Sequence, residues 1–123
     1  MNKPCFLAFV EDLYFHSQLE WIARSKNVDI HFAMQGEQLS QLVKTMVPFM
    51  MVVDLSGLSS DWIFRYISEI MDRDPKFPIV AFISHVQEDV RQRAEKYGCR
   101  FIFTKAQLMK KLPEVIEQSL KGT

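Results

Sequence analysis

Short apolar segments alternate along the chain with longer segments in which apolar residues recur every three or four positions. Five of the short segments are rich in apolar and β-branched residues, and they predict strands. Four of these are apolar almost throughout, which is typical of strands in a parallel sheet that helices cover on both faces. The second is the most polar, and we place it at an edge of the sheet. The predicted strands are Cys5–Val10, Asp29–Met34, Phe49–Val53, Ile79–Ile83 and Phe101–Thr104.

The segments that follow each predicted strand have helical periodicity. Asp74 and Pro75 end the third predicted helix, because the residue before proline avoids the helical region. Gly98 ends the fourth, as is usual for a left-handed cap. Pro113 fits the fifth helix only in its first turn, so we expect an irregular lead-in over residues 106–112. The predicted apolar faces comprise Leu19, Ile22 and Ala23; Leu39, Leu42, Val43 and Met46; Trp62, Ile63, Tyr66, Ile67 and Ile70; Val90, Ala94 and Tyr97; and Val115, Ile116 and Leu120.

Five alternations of strand and helix predict one α/β domain over residues 1–123. Because crossovers between parallel strands are right-handed, the units form a doubly wound three-layer sandwich around a five-stranded parallel sheet. In such sheets ligands bind beyond the carboxyl ends of the strands, where the strand order reverses. Functional residues are therefore expected directly after the strands.

Composition excludes several other classes of protein. With 48% hydrophobic and 24% charged residues, the chain is close to the average globular domain and unlike a disordered or coiled-coil protein. Its 15 basic and 15 acidic residues give no net charge, which argues against a nucleic-acid binder. No apolar run approaches the roughly 20 residues that cross a bilayer, so no membrane association is expected. Two cysteines and no signal-like start favour the cytoplasm.

Charged and hydroxyl side chains follow four of the five predicted strands. Glu11 and Asp12 come after the first strand, Asp54 after the third, Ser84 after the fourth and Lys105 after the fifth. Three carboxylates at one edge either raise one another's pKa or bind a cation, and ligation by oxygen alone favours Mg²⁺. The ammonium and hydroxyl groups suit an anion such as a phosphoryl group.

This pattern resembles that of the receiver domains of bacterial two-component response regulators, the CheY-like domains of chemotaxis and related systems. That family has an acidic pair after the first strand, Asp after the third, Ser or Thr after the fourth and Lys after the fifth. The resemblance covers about residues 4–120 and implies a flavodoxin-like (βα)5 sandwich with strand order 2-1-3-4-5.

The resemblance also implies a mechanism. Asp54 would accept a phosphoryl group as an acyl phosphate, and Lys105 and the Ser84 hydroxyl would bind phosphoryl oxygens. The implied Mg²⁺ ligands are Glu11, Asp12, Asp54 and the backbone carbonyl of Ser56.

The implied partners are proteins. The phosphoryl donor would be a sensor histidine kinase or a histidine phosphotransfer protein, and the output would pass to a downstream protein target or to an effector domain missing from this chain. The protein would not be an enzyme beyond its own phosphoryl transfer and dephosphorylation. Receivers also pair through the fourth helix, fifth strand and fifth helix, so a homodimer is an option.

Four residues depart from the family pattern. Ala106 stands where the family usually has a proline after a cis peptide, and Ile102 stands where it has the Tyr or Phe that turns inward on activation. His85 replaces a small residue at the rim of the site and would modulate access to it. Leu58 replaces a proline in the loop after the third strand.

These departures leave a second hypothesis open, that of a degenerate pseudo-receiver which binds proteins without phosphorylation. A third, a flavin-binding electron carrier, shares the strand order but needs a phosphate-binding loop after the first strand. Residues 11–15 read EDLYF there, and their negative charge disfavours a bound phosphate.

Overall fold

The computed structural model describes residues 3–56, 61–83 and 88–121. Within these ranges five strands and five helices alternate along the chain. They are β1 (Cys5–Phe9), α1 (Leu13–Ser25), β2 (Asp29–Phe32), α2 (Gly36–Met46), β3 (Met51–Asp54), α3 (Asp61–Arg73), β4 (Ile79–Ile83), α4 (Glu88–Lys96), β5 (Phe101–Thr104) and α5 (Lys105–Leu120).

All strand pairs are parallel, and their order in the sheet is β2-β1-β3-β4-β5. This confirms the predicted α/β class, the strand order and the position of the polar second strand at an edge. Phe9 of β1 is in register with Val53, and Asp54 is in register with Phe82 of β4. The carboxyl ends of the three central strands therefore lie side by side.

Each face of the sheet carries its own apolar core. On one face, α2, α3 and α4 pack against residues such as Leu7 and Val53. On the other face, α1 and α5 pack against Phe6, Val52 and Val80. In the described parts of the chain every buried side chain is apolar. The result is the three-layer sandwich that the sequence predicts.

The predicted helical faces are mostly correct, with exceptions at helix ends. Leu19, Leu39 and Ile67 are fully buried, as predicted. Trp62 and Met46 are each 37% exposed, because the first lies in the opening turn of α3 and the second is the last residue of α2.

The expected irregular lead-in to the fifth helix is wrong. Helix α5 is continuous from Lys105 and carries Pro113 in its interior. A proline inside a helix costs roughly 3 kcal/mol, since it removes one hydrogen bond and crowds the preceding turn. That cost is offset by a long buried face. Its members are Leu108, Leu112, Val115 and Ile116.

None of the helices in the described ranges is both long and apolar enough to cross a membrane. The longest of them, α5, has 16 residues and includes several lysines and glutamates.

Candidate functional site at the carboxyl edge of the sheet

Asp12 is fixed between β1 and α1 by its role as the N-cap of the helix. Its Oδ1 accepts a hydrogen bond of 3.0 Å from the backbone N–H of Tyr14. An aspartate is favoured there because its carboxylate satisfies an N–H group that has no partner within the helix. The cap holds the carboxylate at the edge of the sheet through Oδ1, and the second oxygen, Oδ2, takes no part in it.

Lys105 reaches this second oxygen from the start of α5, which covers the same face of the sheet as α1. Its Nζ lies 3.0 Å from Asp12 Oδ2 and 4.6 Å from the centre of the Phe15 ring. The hydrogen bond from Lys105 is the main reason why the pKa of Asp12 lies below its usual value, so the group remains a carboxylate. In the strand order, β3 and β4 separate β1 from β5. The ion pair therefore connects the residues that follow β1 and β5, and the ends of β3 and β4 lie between these two strands.

Asp54 is the last residue of β3 and is half-buried. Its Oδ1 accepts hydrogen bonds from the backbone N–H of Ser56, at 2.9 Å, and from the Ser56 hydroxyl. In the parts of the chain that the structure describes, no hydrogen bond or ion pair connects Asp54 to Lys105. Ser56 thus fixes the orientation of the Asp54 carboxylate and leaves Oδ2 as its second, uncommitted oxygen among the described contacts.

The predicted metal ligands lie at this edge without forming a ready-made cluster. Glu11 is exposed and directly precedes Asp12. Across residues 3–56, 61–83 and 88–121, no three His, Cys, Asp or Glu side chains are close enough together to hold a metal ion. The oxygens of Glu11, Asp12, Asp54 and Ser56 are nevertheless the donor type that Mg²⁺ prefers, and water molecules commonly complete its coordination. The donor chemistry fits, and the role of each ligand stays a prediction.

Three of the residues singled out in the sequence, Ser84, His85 and Leu58, lie outside the described residues. The predicted contact of Ser84 with a phosphoryl oxygen and the predicted effect of His85 on access stay predictions. So does the predicted ligation of a metal by the Ser56 carbonyl.

The departures at β5 and α5 have clear structural consequences. No peptide bond in the described ranges is cis, and α5 starts at Lys105, directly before Ala106. Thr104 caps the helix reciprocally with Gln107: the Thr104 hydroxyl accepts from the Gln107 N–H at 3.2 Å, and Gln107 Oε1 accepts from the Thr104 N–H at 2.8 Å. Alanine at position 106 is compatible with a helix that begins at Lys105. Lys105 therefore lies in the first turn of α5.

Ile102 occupies the position at which the resemblance expects an aromatic switch. It is half-buried and packs against the core under α2, α3 and α4. Phe101 and Phe103 lie on the opposite face of the sheet and stack with ring centres 5.7 Å apart. The prediction that strand alternation turns both phenylalanines away from Ile102 is confirmed.

Sequence reasoning missed two contributors to this edge, Phe15 and the Ser56 side chain. Phe15 is fully buried, and its ring packs at 5.2 Å against that of Phe82 while its face meets Lys105. Its position three residues after Asp12 on α1 was the available signal, because residues i and i+3 share a helix face.

Comparison with known proteins identifies the fold. The signal receiver domain of an HD domain-containing protein from Pseudomonas fluorescens superposes with a TM-score of 0.82 at 15% identity, covering 99% of this chain and 90% of that one. A CheY-like protein (TadZ) from Pseudomonas aeruginosa gives 0.80 at 17% identity, covering 94% and 98%. The receiver domain of a sensor histidine kinase from Pseudomonas aeruginosa, solved with a magnesium ion coordinated in its active-site cleft, gives 0.78 at 14% identity, covering 98% and 99%.

No protein-family model and no curated protein sequence matches the chain. The similarity to solved structures therefore establishes the CheY-like receiver fold, at low sequence identity.

Proposed function

We propose that the chain is a receiver domain that accepts a phosphoryl group on Asp54. The main observation in support is the 3.0 Å ion pair between Asp12, after β1, and Lys105, after β5. Asp54 ends β3, which lies between these two strands in the sheet. A carboxylate, a lysine and a second carboxylate from three different strand ends meet the needs of phosphoryl transfer, namely a nucleophile and charge compensation.

The hydrogen bonds of Asp54 support its proposed role as the nucleophile. Because Ser56 holds Oδ1 with two hydrogen bonds, Oδ2 is the oxygen that would attack phosphorus. The new O–P bond forms as the P–N bond of a phosphohistidine donor, or the P–O bond of acetyl phosphate, breaks. The electron pair of the broken bond leaves with the imidazole or acetate.

Lys105 would neutralise one phosphoryl oxygen in this reaction. Its side chain is 46% exposed, so solvent strongly screens its ion pair with Asp12. Exchanging Asp12 for a phosphoryl oxygen therefore costs little. The ammonium is already held at the edge, over the ring of Phe15.

Glu11, Asp12, Asp54 and the Ser56 carbonyl are the groups that would hold Mg²⁺. When bound, the ion would offset negative charge on the transferring group. A neighbour of the same fold is described with magnesium coordinated in its active-site cleft, which supports this choice of metal.

The partners follow from the same chemistry. The donor would be a sensor histidine kinase or a histidine phosphotransfer protein, and the modified domain would act on a protein target in the cytoplasm rather than as an enzyme on other substrates. Leu13 and Tyr14 are 68% and 75% exposed beside Asp12 and offer a donor protein an apolar contact at the site.

Acetyl phosphate tests the proposal. Wild type with Mg²⁺ should gain the mass of one phosphoryl group, and the gain should disappear in Asp54→Asn and when the metal is chelated. Asp72→Asn, an exposed aspartate on α3, is the matched control and should react like wild type. Modification of Asp54→Asn at the wild-type rate would contradict the assignment.

The second candidate is a pseudo-receiver that binds a protein without being phosphorylated. It is favoured by the helical start at Lys105, directly before Ala106, and by Ile102 at the position of the aromatic switch. Under this hypothesis wild type gains no mass from acetyl phosphate, and Asp54→Asn binds a partner as tightly as wild type does.

A further inference from the structure

The opposite edge of the sheet carries an apolar cavity with two cationic side chains beside it. The cavity encloses about 120 Å³ between the end of α2 and the connection from α3 to β4. Pro48, Ile70 and Phe77 form its buried base, and Val43 and Val47 form one wall. An apolar cavity of comparable size, about 150 Å³, is known to bind benzene, so the space suits one apolar side chain.

Val47 has a backbone conformation that valine does not favour. It is the C-cap that follows α2, with φ 48° and ψ 60° in the left-handed region, and it is 80% exposed. A β-branched residue is rare there, and the following Pro48 further restricts its backbone. Glycine or asparagine would end the helix with less strain. Strained residues of this kind concentrate at functional sites, and here the strain holds two methyl groups at the mouth of the cavity.

The charges around the cavity are unbalanced. Arg73 lines this cavity, and Lys76 lines an adjoining one that shares Pro48, Asp74 and Phe77 with it. Within the described part of the chain, no hydrogen bond or ion pair engages the guanidinium of Arg73 or the ammonium of Lys76.

Asp74 is the one carboxylate among these lining residues, and its Oδ1 accepts the backbone N–H of Lys76 at 3.2 Å. A second guanidinium approaches Lys76, since Arg100 donates to the Lys76 carbonyl at 2.9 Å. Among the side chains that line the two cavities, two are therefore cationic and one is anionic.

We infer that this cavity, bounded by Val47, Phe77 and Arg73, docks a protein segment in which an apolar side chain is flanked by carboxylates. The apolar side chain fills the cavity, and the carboxylates pair with Arg73 and Lys76. A bilayer fits less well, because the apolar base is recessed: Ile70 and Phe77 are only 3% and 7% exposed. The surface lies at the amino end of β3, whereas Asp54 lies at its carboxyl end, so this inference is independent of phosphorylation.

The test is an NMR titration of the ¹⁵N-labelled chain with a capped peptide, Glu-Ala-Leu-Ala-Glu. The expected result is a saturable shift of amides in residues 43–48 and 73–78, with a Kd on the order of 1 mM. A peptide with alanine in place of leucine, and one with lysine in place of both glutamates, should each bind several-fold more weakly.

Two variants separate the parts of the surface. Arg73→Glu should lower the affinity for the acidic peptide about threefold to tenfold and raise the affinity for the lysine peptide, as expected for reversal of an exposed charge. Arg65→Glu, an exposed position on the same helix away from the cavity, is the matched control and should leave both affinities unchanged. Val47→Asn should raise the Tm, because asparagine tolerates the left-handed region, while it weakens peptide binding.

Several results would overturn the inference. These are equal affinity for the acidic and lysine peptides, the absence of saturable shifts at about 10 mM peptide, and unchanged binding by Val47→Asn. Shifts of the same amides by anionic phospholipid vesicles, with none by the peptide, would assign the surface to a membrane instead. A dimer in sedimentation that Arg73→Glu dissociates would assign it to a second copy of the chain.

Discussion

The contact between Lys105 and the face of Phe15 predicts a measurable coupling between the two residues. The relevant changes are Phe15→Leu, Lys105→Met and the double variant. The ammonium lies 4.6 Å from the ring centre, within the range of a cation–π interaction, and such contacts contribute about 0.5–1 kcal/mol at exposed sites. Because the Lys105 side chain is 46% exposed, we expect a coupling free energy of about 0.5 kcal/mol.

The single changes alone do not isolate this contact. Phe15→Leu also weakens packing against Phe82, whose ring lies 5.2 Å away, and such aromatic pairs add about 0.5–1.5 kcal/mol beyond area burial. Lys105→Met also removes the ion pair with Asp12. Both losses cancel in a double-mutant cycle, which reports only the interaction between the two side chains.

The assay is urea unfolding of the four proteins, with stabilities compared near the transition midpoint to limit extrapolation error. A parallel cycle combines Phe15→Leu with Lys111→Met. Lys111 is an exposed lysine on α5, the helix of Lys105, and this cycle should give no coupling. Proton NMR offers an independent reading, since the ring current should shift the Lys105 ε-methylene resonance upfield in wild type and not in Phe15→Leu. A coupling indistinguishable from that of the Lys111 cycle, together with an unshifted methylene, would refute the contact.

Other features of the chain predict further outcomes. Burial raises the pKa of the Cys99 thiol to about 12, so an aromatic disulfide reagent should leave Cys99 unmodified at neutral pH until urea unfolds the chain. Gly98→Ala should lower the free energy of unfolding by about 1–3 kcal/mol, because φ is +102° there and an added Cβ would lie 3.2 Å from Met71 Cγ. The hydrogen bond from Lys26 lowers the pKa of Glu117, so the stability that this pair contributes should be complete above the unfolded-state pKa and lost as pH falls through the folded one. Glu117→Gln should remove that acid-dependent component from urea unfolding curves.

The strands were largely predictable because their apolar runs stop where the chain leaves the sheet. Ile79–Ile83 and Phe101–Thr104 coincide with β4 and β5. The third strand is displaced, from the predicted Phe49–Val53 to Met51–Asp54, because pairing with β1 and β4 rather than local hydrophobicity sets its limits. Asp54 consequently belongs to the strand itself.

The fifth helix shows where local rules fail. Pro113 argued for an irregular start, yet the reciprocal cap of Thr104 and Gln107 and the buried face through Leu108 and Leu112 extend the helix to Lys105. Tertiary packing outweighed the local cost of the proline.

The site was predictable as a set of strand ends but not as a set of contacts. That Asp12, Asp54 and Lys105 share one edge follows from parallel strands. The pairing of Lys105 with Asp12 depends on the start of α5 and on the ring of Phe15, and the Ser56 hydrogen bonds depend on the turn after β3. The spacing of Phe15 from Asp12 hints at the first of these, whereas the contact across the sheet edge joins residues that are distant in the sequence.

The most direct test of the phosphoacceptor assignment is an ¹⁵N NMR spectrum of the chain with Mg²⁺ before and after addition of beryllofluoride, which mimics a phosphoryl group on a carboxylate. We predict slow-exchange shifts of the backbone amides of Asp54, Ser56 and Lys105 in wild type, and none in Asp54→Asn. Unchanged spectra in wild type at saturating Mg²⁺ and beryllofluoride, or equal shifts in Asp54→Asn, would contradict it.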